Sequence, residues 1–241
     1  MPGPTTVVLI HGLGGSPAAW SRVAPGVEAG ASHVVIPQLR GESSIEGEAD
    51  GIARNSGAWP AVVAGHSMGG LVATALAERH PDLVTRLVLI NTPPRVESRI
   101  SARGPVERLL AAPLVGALAW HLATPARMSA GLATAFAPRT PVPAEFVRDL
   151  RATGREAFLR SNRAINDYLT RRPLDVRLAK IDRPVSVMFG RLDQRVDPDS
   201  IRHYDGLANV TVTTLPGAGH TPPWEDSAAV VAAILSSPRP T

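Results

Sequence analysis

Apolar positions along the chain fall into short runs, most of them unbroken rather than alternating. Residues 5–10 (TTVVLI), 32–37 (SHVVIP), 59–65 (WPAVVAG), 85–91 (TRLVLIN), 183–190 (RPVSVMFG) and 209–217 (NVTVTTLPG) are rich in Val, Ile, Leu and Thr and bounded by Gly, Pro, Asn or His. Continuous runs of this length suit strands covered on both faces, as in a parallel sheet. Between them lie helical patterns, including 69–80, with Leu71, Ala75 and Leu76 on one face, and 225–235. Strand, helix, strand with short connections predicts an α/β fold with a mostly parallel, doubly wound sheet of about six strands.

Residues 95–180 break the rhythm. They hold no strand pattern but several helical segments, punctuated by Pro105, Pro113, Pro125, Pro138, Pro141 and Pro143. The simplest organisation is a core built from 1–94 and 181–241, interrupted by a helical insertion at 95–180. Charge changes at the same bounds: the insertion carries 15 basic and 7 acidic side chains, the remainder 10 and 14. Solvated helix faces account for such a bias, as does a rim that attracts anionic substrates or partners. No binding motif or aromatic interleaving accompanies the charge, so nucleic acid is not an expected partner.

Composition narrows the chemistry further. The chain has no cysteine, which removes disulfides, thiolate metal sites and a Cys nucleophile. Its basic residues are 24 Arg and the single Lys180, which argues against Schiff-base catalysis. No His, Asp and Glu cluster has metal-ligand spacing, and GLGG at 12–15 does not complete a dinucleotide loop, so neither metal nor cofactor is expected. No apolar run is long enough for a membrane span and MPGPTTVVLIHG lacks the pattern of a secretory signal, which makes the cytoplasm the expected location.

The chemistry concentrates where the run at 59–65 breaks into Gly65-His66-Ser67-Met68-Gly69-Gly70 and passes at once into a helical pattern. This is G-x-S-x-G in its required context, after a strand and before a helix. A sharp turn there strains Ser67 and presents its hydroxyl at the carboxyl edge of the sheet, and Gly65 and Gly69 remove side chains that would collide. The Met68 amide, at the start of the helix, is placed to favour a developing oxyanion. HGLGG at 11–15 follows the first strand, where Leu13 can supply a second amide; His11 and Gly12 belong to that loop. Asp193 lies just beyond a later strand in VMFGRLDQRV, with Asp197 in reserve, and His220 follows the last strand in LPGAGHTPPWE. His66 reads as a packing residue beside the elbow, and His33, His80, His121 and His203 as ordinary surface or packing residues.

These ordered motifs resemble an α/β-hydrolase-fold enzyme with a helical cap, over essentially the whole length from VVLIHGLGG to GAGHTPPWE. The resemblance implies Ser67 as nucleophile, His220 as general base, Asp193 as its orienting carboxylate, and the Leu13 and Met68 amides as oxyanion donors. It also implies an acyl ester or thioester substrate, with an anionic or carrier-linked one kept open by the basic insertion. Two departures stand out. The first run comes almost at once, so the N-terminal antiparallel hairpin usual in the fold is not expected ahead of it, and PQLRGESS (37–44) has Gln38 and Glu42 where the family has Asp and Gly. Serine at the elbow argues against dehalogenase and epoxide-hydrolase chemistry, which uses Asp there. Carbon–carbon hydrolases, lactonases and perhydrolases share the arrangement, and a non-hydrolytic cyclase or ligand-binding module on the same fold remains a different class of answer.

Overall fold

A computed structural model describes residues 6–57, 59–101 and 104–236. Strands β1 (Thr6–Ile10), β2 (His33–Val35), β3 (Ala61–His66), β4 (Val84–Ile90), β5 (Val185–Gly190) and β6 (Val210–Leu215) form one sheet in the order β2-β1-β3-β4-β5-β6. Every neighbouring pair is parallel. All six runs read from the sequence are therefore strands, although Thr5 lies outside the described residues. The run at 32–37 yields only three strand residues, at a sheet edge, and that at 59–65 starts two residues later than its first apolar side chain, after Pro60, which has no amide to give the ladder.

Strands β1, β3, β4 and β5 are largely apolar because alternate residues serve two cores, whereas β6 (VTVTTL) alternates and is exposed over most of its length. Val8, Ile10, Val63, Leu87, Leu89, Val187 and Phe189 face one side, packed with α2 (Ile45–Asn55) and α3 (Met68–Arg79). Val7, Leu9, Val62, Ala64, Val88, Ile90 and Met188 face the other, against Val27 of α1 (Ala24–Glu28) and Val230 and Ile234 of the helix Ser227–Leu235. A fully buried side chain of this kind contributes about 1.5–3 kcal/mol. The chain thus leaves β1 toward one face and β3 toward the other, opening a crevice at the carboxyl ends of these adjacent strands, where open α/β sheets bind ligands.

Between β4 and β5 run α4 (Pro105–Ala111), α5 (Pro113–His121), α6 (Pro125–Leu132), α7 (Ala144–Arg171) and α8 (Leu174–Leu178). Proline opens α4, α5 and α6, where its missing amide costs nothing, and Pro143 caps α7. Helix α7 is broken at Gly154 (φ 73°), and its two halves differ in setting. After the break, Ala164, Ile165, Tyr168 and Leu169 join the core beside α2 and α3, with Leu174 and Leu178 of α8. Arg177 of α8 stacks 3.7 Å over the Tyr168 ring and pairs with Glu78 of α3 at 2.8 Å, fastening this part to the core. By contrast, α5 turns Leu114 (86% exposed) and Leu118 (59%) outward. Among the described residues, no helix is long and apolar enough to cross a membrane.

Candidate active site

The elbow between β3 and α3 holds Ser67 at φ 53°, ψ −117°. Backbone at positive φ is rare for a side-chain-bearing residue and costs on the order of 1–3 kcal/mol. The glycines around it are required by close approach: a Cβ on Gly65 would overlap the Gly69 carbonyl, and one on Gly69 would overlap the Ile10 and His11 carbonyls. Serine before a helix ordinarily turns its hydroxyl onto the first-turn amides. Here Ser67 makes no such cap, and its Oγ lies 3.0 Å from His220 Nε2. The Ser67 amide is anchored on the Ile90 carbonyl at 2.8 Å.

His220 Nδ1 lies 2.8 Å from Asp193 Oδ2. Donation from Nδ1–H to the carboxylate leaves Nε2 with the lone pair that accepts the Ser67 proton. Asp193 Oδ1 accepts from the Arg195 amide at 2.7 Å and the Val196 amide at 3.0 Å, and Oδ2 also accepts from Asn91 Nδ2 at 2.6 Å. Burial alone would raise the Asp193 pKa, but the charge and hydrogen bond of His220, with the Val196 amide and Asn91, outweigh it and hold the carboxyl below its ordinary value. Asp197 is turned elsewhere, accepting from the Asp199 amide at 3.0 Å.

His66 and His11 support the site from behind. His66 Nε2 donates to the His220 carbonyl at 2.7 Å, and burial followed by repulsion from His220 lowers its pKa to about 3, so it is neutral. His11 Nδ1 donates to the Gly12 carbonyl at 2.9 Å, while its Nε2 accepts from the Leu39 amide and Gln38 Nε2, each at 3.2 Å. Burial lowers its pKa as well. Gln38, the departure noted in the sequence, thus binds the imidazole that shapes the loop after β1. Gly12 brings that loop against the elbow, where a Cβ would sit 3.2 Å from Ser67 Cβ.

Gly12, Leu13, Ser67, Met68 and His220 line one cavity of about 90 Å³. Met68 is the first residue of α3, so its amide has no partner within the helix, and the Leu13 amide makes no backbone hydrogen bond among the described residues. A second cavity of about 300 Å³ adjoins it through Gly12, Gly14, Gly15 and Met68 and is bordered by Gln38 and Asp149. Phe146 of the insertion lines the smaller cavity. Phe136 is buried and packs edge-on against Phe146 at 5.2 Å, Trp120 pairs with Phe158 at 5.9 Å, and Leu118 and Leu122 are exposed.

Sequence reasoning missed two residues that hold the constellation together. Asn91 lies buried at the end of β4 at φ 46°, and besides Asp193 it bonds the Gly219 carbonyl and the Gly190 amide. Glu225 places one carboxylate oxygen 2.6 Å from the Ala137 amide and the other 3.0 and 3.1 Å from the amides of Gly219 and Thr221, which flank His220. Neither side chain has a motif of its own. Glu225 does follow His220 closely in GHTPPWE, which is the one available sequence signal. Among the described residues no group of three or more His, Asp or Glu could hold a metal ion.

A hydroxyl on a strained strand-to-helix turn, backed by an imidazole and a buried carboxylate at the carboxyl edge of a parallel sheet, is a constellation suited to nucleophilic acyl transfer. The chain belongs to the alpha/beta hydrolase family, whose model matches residues 7–234. It is 43% identical over 94 residues to the pimeloyl-[acyl-carrier protein] methyl ester esterase of Aromatoleum aromaticum, covering 36% of this chain and 37% of that protein. It is 34% identical over 126 residues to lipase LipV of Mycobacterium tuberculosis, covering 46% of each. These matches span less than half the length of either relative. An esterase from Exiguobacterium antarcticum superposes with a TM-score of 0.78 at 17% identity, over 98% of this chain and 94% of that one, which is a likeness of fold.

Proposed function

We propose that this protein is a serine esterase that cleaves a carboxylic ester or thioester through a covalent acyl-enzyme. The observation that carries the proposal is the unbroken chain from Ser67 Oγ to His220 Nε2 at 3.0 Å and from His220 Nδ1 to Asp193 Oδ2 at 2.8 Å. In this mechanism His220 takes the Ser67 proton as Oγ attacks the ester carbonyl, and the amides of Leu13 and Met68 receive the oxyanion. His220 then protonates the leaving alcohol, activates water against the acyl-enzyme and returns the proton to Ser67. Asp193 fixes the tautomer and stabilises the imidazolium. The helical insertion serves as a cap, with Phe146 reaching the cavity beside Ser67. The surplus of basic side chains in residues 95–180 and the likeness to an esterase acting on a carrier-linked ester favour an anionic or carrier-linked substrate.

Steady-state hydrolysis of p-nitrophenyl esters from acetate to decanoate tests the reading. The parent should turn over at least part of the series, and Ser67→Ala should lower kcat by about 10⁴- to 10⁶-fold. Turnover that survives the substitution largely intact sinks the mechanism.

A further inference from the structure

The cavity of about 300 Å³ shares Gly12, Gly14, Gly15 and Met68 with the one that holds Ser67. Helix α7 leaves room for it by lining it with small side chains, Ala152, Thr153, Ala157 and Ser161, on both sides of the break at Gly154. The insertion is basic overall, yet the one charged side chain that it contributes to this wall is Asp149. The wall's other charged group, Arg40, comes from the loop after β2 and is exposed, while burial lowers the pKa of His11.

Three hydrogen-bond acceptors on this wall are left over after the protein's own bonds are made. Asp149 Oδ2 accepts the Ser16 hydroxyl at 2.6 Å, and Oδ1 has no partner among the described residues. Gln38 directs Nε2 to the Leu39 carbonyl at 3.1 Å and to His11 Nε2 at 3.2 Å, which leaves its Oε1 without a partner there. Ser161 is only 5% exposed, and its hydroxyl has no partner among the described residues. That hydroxyl is not sealed in protein, so its open side is the cavity. A buried polar group left unpaired costs about 1–3 kcal/mol, which a ligand that donates hydrogen bonds here removes.

His220 decides which part of an ester lies here. It lines the smaller cavity and not this one, so the alcohol oxygen that it protonates, as the acyl carbon–oxygen bond breaks, departs on that side. The smaller cavity, about 90 Å³, suits a short alcohol. With the carbonyl held at the Leu13 and Met68 amides, the acyl chain is the part that runs past Met68 into the larger cavity. We infer that this cavity is an acyl subsite, and that it selects a chain ending in a hydrogen-bond donor, a hydroxyl or an ammonium group, received by Asp149, Gln38 and Ser161. This deepens the esterase reading and rests on it.

The test compares the methyl esters of ω-hydroxyhexanoic acid, ω-aminohexanoic acid and heptanoic acid, the last with a methyl group in place of the donor. The parent should favour at least one donor-bearing ester over heptanoate in kcat/KM by about tenfold, as expected for a hydrogen bond to a charged group, and the favoured ester names the donor. That preference should collapse toward unity in Asp149→Ala. Asp149→Asn, which keeps an acceptor without the charge, should retain part of a hydroxyl preference and lose an ammonium preference. Asp149 also holds Ser16, so Ser16→Ala, which removes that bond and leaves the carboxylate, should keep the preference. Where Asp149→Ala loses its unfolding transition, Ser161→Ala decides, with the preference lowered by about threefold or more. Calorimetry on Ser67→Ala should show the favoured ester binding about tenfold more weakly once Asp149→Ala is added. A parent that favours neither donor ester, a preference unmoved in the deciding variant, or one lost equally in Ser16→Ala overturns the inference. If every ester, including p-nitrophenyl acetate, is inert in the parent yet binding to Ser67→Ala depends on Asp149, the esterase reading fails and the donor-binding subsite stands.

Discussion

Asn91 Nδ2 donates to Asp193 Oδ2 at 2.6 Å, so the carboxylate oxygen that faces His220 is shared with a buried amide at the end of β4. The same side chain accepts from the Gly190 amide at 3.2 Å, at the last residue of β5. One residue therefore fixes the carboxylate and the strand that delivers it. Asn91→Ala strands both partners in a buried site, and loss of about 2–4 kcal/mol is expected, with a fall in kcat. Urea unfolding alongside ester kinetics measures both; stability and kcat within error of the parent would remove Asn91 from this role.

Glu225 acts similarly on His220 by bonding the amides of Gly219 and Thr221 on either side of it, together with Ala137 of the insertion. Glu225→Gln puts an NH₂ group where an acceptor is needed and disrupts at least one of these bonds. The expected result is a lower kcat with KM changed less, and a stability loss of about 1–3 kcal/mol. Equal kcat in parent and variant would show that the His220 loop holds its place without the clamp.

The buried His66 makes the fold sensitive to acid. Its pKa is lowered to about 3 in the folded chain, against about 6.5 when unfolded, so the unfolded state takes up the proton first. Its contribution is complete above the unfolded value and is lost as pH falls from about 6.5 toward 3. His66→Gln, which can still donate to the His220 carbonyl, should reduce the stability difference between pH 7 and pH 5 by about 2 kcal/mol. Denaturant unfolding at the two pH values decides it: an unchanged difference would mean that His66 is not the group responsible.

The elbow tolerates no added carbon at Gly69, where a Cβ would meet the carbonyls of Ile10 and His11. Both obstacles are backbone in β1 and the loop after it, which have no rotamer to yield. Gly69→Ala should cost more than about 3 kcal/mol or prevent folding, whereas a thermal transition within a degree or two of the parent would show that β1 can shift.

The central strands were legible because they bury two faces: in Val7, Val8, Leu9 and Ile10, consecutive side chains serve different cores, whereas β6 alternates Val and Thr and stays largely exposed. Ser67, Asp193 and His220 were legible through fixed local surroundings, a Gly-flanked turn and the ends of two later strands. Asn91 and Glu225 were not, because what they do depends on partners roughly 100 and 90 positions away in sequence, such as Gly190 and Ala137. The break of α7 at Gly154 was equally hidden, since helical periodicity continues across it while the backbone turns to φ 73°. Gln38 illustrates the opposite case: a visible departure from the family pattern whose meaning, a bond to His11, required the fold.

The most direct test of the central claim is covalent labelling with a fluorophosphonate, read by peptide mapping and by residual ester hydrolysis in the same samples. The proposed mechanism predicts a single adduct on Ser67, activity lost in proportion to its formation, and no adduct at that peptide in Ser67→Ala. Complete occupancy of Ser67 with ester turnover undiminished, or inactivation through an adduct elsewhere, would contradict it.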